Sequence, residues 1–221
     1  MNKVEVIGYS IVAILLLNSI RFFLSLKKIG FLEQYEIFRK LGFELNPNAD
    51  ISDIDRWGSR TKFEEKPFEL MYITLGLFLE REPWSPITNR CWYFDTEAIE
   101  GEGSYSRIIK NIQRLTHREL NFENVEDYVD MEGEVAWVSF ILNGDKYKWD
   151  LNVYNDWIDP QFFDNLIELT KKYSTKSKFT YYPEGQSIVI GYETPDKLKE
   201  IKKATGLKIE WFKGPLKIGW N

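Results

Sequence analysis

The sequence predicts an α+β protein, a mostly antiparallel sheet of hairpins with helices packed on it, preceded by an N-terminal transmembrane helix. Three observations predict this. The run VEVIGYSIVAILLLNSIRFFLSLKK stands almost at the start, two apolar runs flank Asn143-Gly144, and capped helical segments alternate with strand pairs rather than with single strands.

Residues 6–26 are long enough to cross a hydrocarbon layer, which needs about 20 residues at 1.5 Å each. Residues 11–17 carry no charge, and Arg21 stands where it can snorkel to the headgroups. A core helix would need a polar face, but only Tyr9 and Ser10 are polar between Val6 and Leu17. A signal peptide would need small residues at a cleavage site, and NSIRFFLSLKKIGF offers none. Residues 1–28 therefore read as an uncleaved single-pass anchor in the cell membrane. Lys3 and the amino terminus lie before the span, and Arg21, Lys27 and Lys28 at its end, which places the remaining chain in the cytoplasm.

Residues 29–66 read as a juxtamembrane helix and a linker. Phe31, Leu32, Tyr35, Phe38 and Leu41 fall at helical spacing and end at Gly42. The stretch NPNADISDIDRWGSRTKFEEKP, rich in Asn, Asp, Ser and Gly, then reads as a long loop. Residues 67–221 form the globular α+β domain.

Within it, Asn143-Gly144 supplies the positive φ angles of a two-residue turn, so VAWVSFIL and DKYKWDL form a hairpin. That turn pairs Phe140 with Tyr147, Val138 with Trp149 and Ala136 with Leu151 on one face, and Ser139 with Lys148 and Trp137 with Asp150 on the other. The segment SYSRIIKNIQRLTH carries serine caps and the stripe Ile108, Ile109, Ile112, Leu115. In DPQFFDNLIELTKKY, Asp159 caps and Pro160 takes the first helical position. KFTYYPEGQSIVIGYE reads as a second hairpin around Pro183-Glu184-Gly185, TPDKLKEIKKATG as a helix between Thr194-Pro195 and Gly206, and LKIEWF as a closing strand. From Phe122 the order is strand, strand, strand, helix, strand, strand, helix, strand.

Charge and chemistry narrow the function. Residues 1–28 carry a net +3, so the formal total of −5 leaves −8 for the rest, and phosphate repulsion makes nucleic acid a poor partner. One cysteine, Cys91, excludes an intramolecular disulfide. The single histidine, His117, stands at a helix end, where the dipole favours it without any catalytic role. Phosphate-loop, dinucleotide, zinc-protease and nucleophile-elbow motifs are absent from the sequence, and no cofactor is called for. The run DIDRWGSRTKFE has Asp, Asp, Gly and Glu at calcium-loop positions, yet Trp57 and Arg60 oppose an ion there, so no metal site is expected. The acidic run FDTEAIEGE, with Asp95, Glu97, Glu100 and Glu102, is a solvated loop or a carboxylate pair for acid–base or magnesium chemistry.

The elements YNDWIDP, Gly185-Gln186, Thr194-Pro195 and TGL before an aromatic strand resemble a group of uncharacterised bacterial proteins with an N-D-W-[IV]-D-P, G-Q, T-P and T-G-L pattern. The resemblance covers residues 67–212, and the group is loosely similar to toxin-immunity proteins. It implies a shared fold and a protein partner rather than an activity. The reading that follows is a membrane-tethered, non-catalytic interaction module that binds a basic protein through an acidic and aromatic surface. Asp95, Glu97, Glu100, Trp137, Asp150, Asp156 and Trp157 are its candidate contacts. The competing reading is a carboxylate-based or metal-assisted hydrolase working near the membrane through Asp95 and Glu97.

Overall fold

The computed structural model describes residues 29–173 and 175–213. The proposed anchor, residues 1–28, lies outside the described residues, among which no helix is long and apolar enough to cross a membrane. The described chain is α+β with antiparallel sheets.

The N-terminal layer is helical. Helix α1 (Phe31–Lys40) buries Phe31, Gln34 and Phe38. Its apolar face therefore meets the protein itself. The stretch expected to be a linker is folded: α2 (Ile51–Ile54), a 3-10 turn (Asp55–Trp57) and α3 (Arg60–Glu65) precede α4 (Glu69–Leu75). Its sparse apolar residues hid this, but Phe43, Ile54 and Phe63 are each fully buried. Its polar residues are spent locally, since Asp50 accepts from Ser52 N at 2.8 Å and Asp53 accepts from Asp50 N at 2.9 Å, a reciprocal cap on α2.

Two sheets follow. In the first, β1 (Cys91–Asp95), β6 (Ser187–Glu193), β5 (Lys178–Glu184) and β7 (Glu210–Trp211) lie side by side in that order. In the second, β2 (Phe122–Asp130), β3 (Val135–Leu142) and β4 (Asp145–Leu151) form a meander. Every pairing is antiparallel. The β3–β4 hairpin has the expected register, with Phe140 opposite Tyr147 and Trp137 opposite Asp150, and φ is 52° at Asn143 and 84° at Gly144.

The second hairpin turns one step later than expected, at Gly185-Gln186, leaving Pro183 inside β5 opposite Ile188. A two-residue turn makes Glu184–Ser187 a hydrogen-bonded pair, so Pro183–Ile188 is a non-bonded one and the missing N–H faces outward. β7 pairs with Thr180 and Tyr181 only, so nothing at Pro183 needs that donor.

Strand β6 is buried along its whole length because both faces of its sheet are covered. Trp92, Phe94, Ile188 and Ile190 point into one core with α5 (Ser104–Leu115), α6 (Gln161–Lys172) and the inner face of the second sheet. Cys91, Tyr182 and Val189 point into another with α1, α4 and α7 (Pro195–Thr205). Helices lie on both faces of this sheet. Contacts of α5 with β1 and β2, and of α6 with β4 and β5, place these two helices between the sheets. The layers run helices, first sheet, α5 and α6, second sheet.

Caps fix the helix ends. Thr194 and Gly206 close α7 as the sequence predicts, Gly206 at φ 74°. Asp159 accepts from Gln161 N at 2.9 Å and from Asn152 N at 2.6 Å, which ties the start of α6 to the end of β4. The serines do not cap α5. Its N-terminus is satisfied from β2, where Asp127 accepts from Tyr105 N at 3.0 Å and Ser106 Oγ at 2.7 Å.

Candidate functional site

The seven nominated residues fall into two groups. Asp95, Glu97, Glu100, Asp156 and Trp157 meet where β1 ends, because Ile99 N donates to Asp156 O and Ile158 N to Thr96 O, both at 2.9 Å. Gln186 Nε2 donates to Glu97 at 2.7 Å and reaches Asp95 at 3.5 Å, so the hairpin turn between β5 and β6 occupies the space between these carboxylates. Glu100 lies 3.8 Å from Arg107. Asp95, Glu97 and Glu100 line a shallow cleft of about 420 Å³ with Ser104, Arg107 and Asn111. Asp156 is exposed on the adjoining loop, and Trp157 packs on the core beneath it.

Trp137 and Asp150 lie elsewhere, on the outer face of the second sheet. Antiparallel register builds that face row by row: Asp130 with Val135, Tyr128 with Trp137 and Asp150, Glu126 with Ser139 and Lys148. Tyr128 and Trp137 stack with centroids 6.3 Å apart, and Lys148 Nζ sits 4.7 Å over the Trp137 ring. Tyr128, Met131 and Val135 rank among the exposed large apolar side chains, Tyr128 at 42% and Val135 at 47%. The result is an aromatic and aliphatic centre with an acidic flank on β2.

The sequence reasoning nominated only two residues of this surface, Trp137 and Asp150, as contacts. The missed signal is charge, since residues 119–145 hold eight acidic residues and no lysine or arginine. Folding concentrates that run: Glu123, Glu126, Glu132 and Glu134 are exposed, and Asp130 turns the chain by accepting from Gly133 N at 2.9 Å. β2 is an edge strand whose register shifts between Glu123 and Glu126, with Asn124 at φ 50°. Such a bulge and a row of like charges discourage indiscriminate strand pairing while leaving the face open.

Other reactive groups are placed as follows. Cys91 is fully buried, and burial pushes its thiol up to about 12, which suppresses the nucleophilic thiolate. In the calcium-like run, Asp53 pairs with Arg81 and Asp55 with Arg60 at 2.8 Å. Among the described residues no three His, Cys, Asp or Glu side chains cluster so as to hold a metal ion. His117 is exposed at the end of α5, and burial, with Arg90 and Arg114, lowers its pKa. Comparison with protein-family models, curated proteins and solved structures finds no match to this chain.

Proposed function

We propose that this protein is a membrane-tethered, non-catalytic interaction module whose partner is a basic protein. The observation that carries the reading is the outer face of β2–β3–β4, where exposed Tyr128 stacks on half-buried Trp137 beside Glu126, Asp130 and Asp150. Aromatic residues supply contact area at low entropic cost, and acidic charge steers a cationic partner to them. With that tether, the layer order sets which way the face points. A span ending at Leu26 leaves only a few residues before Phe31, so the N-terminal helical layer sits toward the bilayer and the second sheet faces away from it.

The hydrolase reading rests on Asp95 and Glu97, which share a cleft and a glutamine. Their cleft is shallow and Gln186 already bridges them, whereas acid–base work needs a carboxylate aimed at a substrate atom.

The test uses a photo-crosslinking residue at position 128 of the full chain in its own cells, with Trp84, exposed at 62%, as the control position. A basic protein captured at 128 and not at 84, and lost on Glu126→Lys with Asp130→Lys, supports the proposal. Capture that is equal at both positions, or indifferent to the reversals, contradicts it. For the tether, a cytoplasmic reporter fused after Asn221 is expected to be active and a periplasmic one inactive; the reverse would overturn the orientation.

A further inference from the structure

On the first sheet, away from the acidic face, Arg90, His117, Arg118, Glu119, Tyr192, Glu193 and the first turn of α7 line an open cleft of about 570 Å³. That is within the range of small-molecule sites, roughly 300–1,000 Å³. Arg90, Arg118 and Lys197 line it with Glu119 and Glu193, Lys197 Nζ pairs with Glu200 at 2.9 Å, and Arg114 adds its charge from behind, since it too lowers the His117 pKa. Both carboxylates are engaged. Glu193 accepts from Arg90 at 2.5 Å, and Glu119 accepts from Lys176 N at 3.0 Å. Donors are left over: Arg90 Nε and Arg114 Nη2 are buried without an acceptor, and Arg118 has no ion pair among the described residues. The buried Tyr192 hydroxyl lies close to Thr175 and Glu119 but makes a hydrogen bond of normal geometry to neither. With Glu200 counted, three cations meet three carboxylates here, and Arg114 behind them leaves one positive charge in excess in a protein of formal charge −5.

The backbone singles out the same place. Helix α5 ends with Arg118 N donating to Gln113 O at 3.2 Å and His117 N to Arg114 O at 3.1 Å, the two bonds of a Schellman motif. Its left-handed position, normally glycine, is His117 at φ 49°, and Arg118 follows at φ 64°. Two consecutive non-glycine residues in this region are strained, and such strain concentrates at ligand sites. Glycine would relieve it but would remove the imidazole from the cleft.

We propose that this cleft binds the phosphate group of a small phosphomonoester, with the Arg118 guanidinium and the His117 ring as donors and Lys197 Nζ turning to it from Glu200. Planar arginine forks and clustered cations suit phosphate oxygens. The cleft volume leaves room for the organic part.

His117 is the single histidine of the chain, so its imidazole NMR signals report on this site without interference. The full chain in non-ionic detergent is titrated with inorganic phosphate at constant ionic strength set by chloride. A saturable shift of the His117 signals is expected, weakened about tenfold by Arg118→Ala or Lys197→Ala, the loss of one charge-assisted bond. Glu119→Gln, which removes a facing carboxylate, should tighten binding about threefold. A second arm with glycerol 3-phosphate and a soluble phosphodiester separates a free monoester from a lipid headgroup, because preference for the diester assigns the latter. His117→Gly should raise Tm while weakening phosphate binding, the latter read for this variant from the backbone amide signals around the cleft. A shift that grows linearly and equally with chloride, or a saturable one indifferent to Arg118→Ala, would overturn the proposal, as would a His117→Gly variant that loses stability.

Discussion

Gln34 offers the sharpest test of the folded N-terminal layer. It is fully buried on α1; its Nε2 donates to Ile29 O at 2.8 Å and Phe63 O at 2.7 Å, and its Oε1 accepts from Phe68 N at 2.8 Å. One side chain thus joins α1, the end of α3 and the start of α4, where Phe68 adopts φ 73°. Gln34→Leu keeps the volume and removes all three bonds. The Phe63 carbonyl and Phe68 N–H then lie buried without partners, each at about 1–3 kcal/mol, while the Ile29 carbonyl is only partly buried. The better burial of leucine offsets part of this, leaving a loss of about 3 kcal/mol. For a chain of this length that lowers Tm by about 6–12 °C. Equilibrium urea unfolding of the full chain in mild detergent, followed by tryptophan fluorescence, measures it. Leu32→Ala is the control on the same helix, 54% exposed and expected to change stability by under about 0.5 kcal/mol. A Gln34→Leu loss below about 1 kcal/mol would refute the reasoning and return residues 43–66 to a loosely attached linker.

Further predictions concern packing, pH and the division between the two surfaces. Gly76→Ala should lower the urea midpoint more than Gly144→Ala, because a Cβ at 76 would lie 2.5 Å from Tyr93 N, which itself donates to Gly76 O, whereas at 144 the obstacle is the positive φ alone. The hydrogen bond from Arg81, ahead of the opposing effect of burial, holds the Asp53 carboxyl below its usual range. A depressed carboxylate contributes stability that is present above its unfolded pKa, about 3.8, and lost as pH falls through its folded value, so Asp53→Asn should flatten the decline of the urea midpoint below about pH 4. His117→Ala should leave partner affinity unchanged, measured by surface plasmon resonance, since His117 lies on the other cleft and not on the β2–β3–β4 face.

Much of the fold was legible in local chemistry. Asn143-Gly144 set the β3–β4 register because its positive φ angles leave one turn type, and Thr194-Pro195 with Gly206 delimited α7 for the same kind of reason. The N-terminal layer was not legible, because Phe43, Ile54 and Phe63 are spaced too irregularly to show a period and are buried by partners distant in sequence. The cap on α5 was hidden likewise, since Asp127 reaches it from another element. For the site, Trp137 and Asp150 followed from strand alternation. Tyr128 and Glu126 required knowing that β2 pairs with β3, although the long acidic run without a base already marked the region.

The central claim is that the acidic, aromatic face of β2–β3–β4 captures a basic partner. Stopped-flow association of the crosslinked partner, measured from low to high salt, tests it most directly. Wild-type association is expected to slow steeply with salt, and Glu126→Lys with Asp130→Lys to slow it at low salt and flatten that dependence. Trp137→Ala should instead speed dissociation, with the urea midpoint little changed. Association rates indifferent to both salt and the charge reversals, with Trp137→Ala binding as tightly as wild type, would contradict the account.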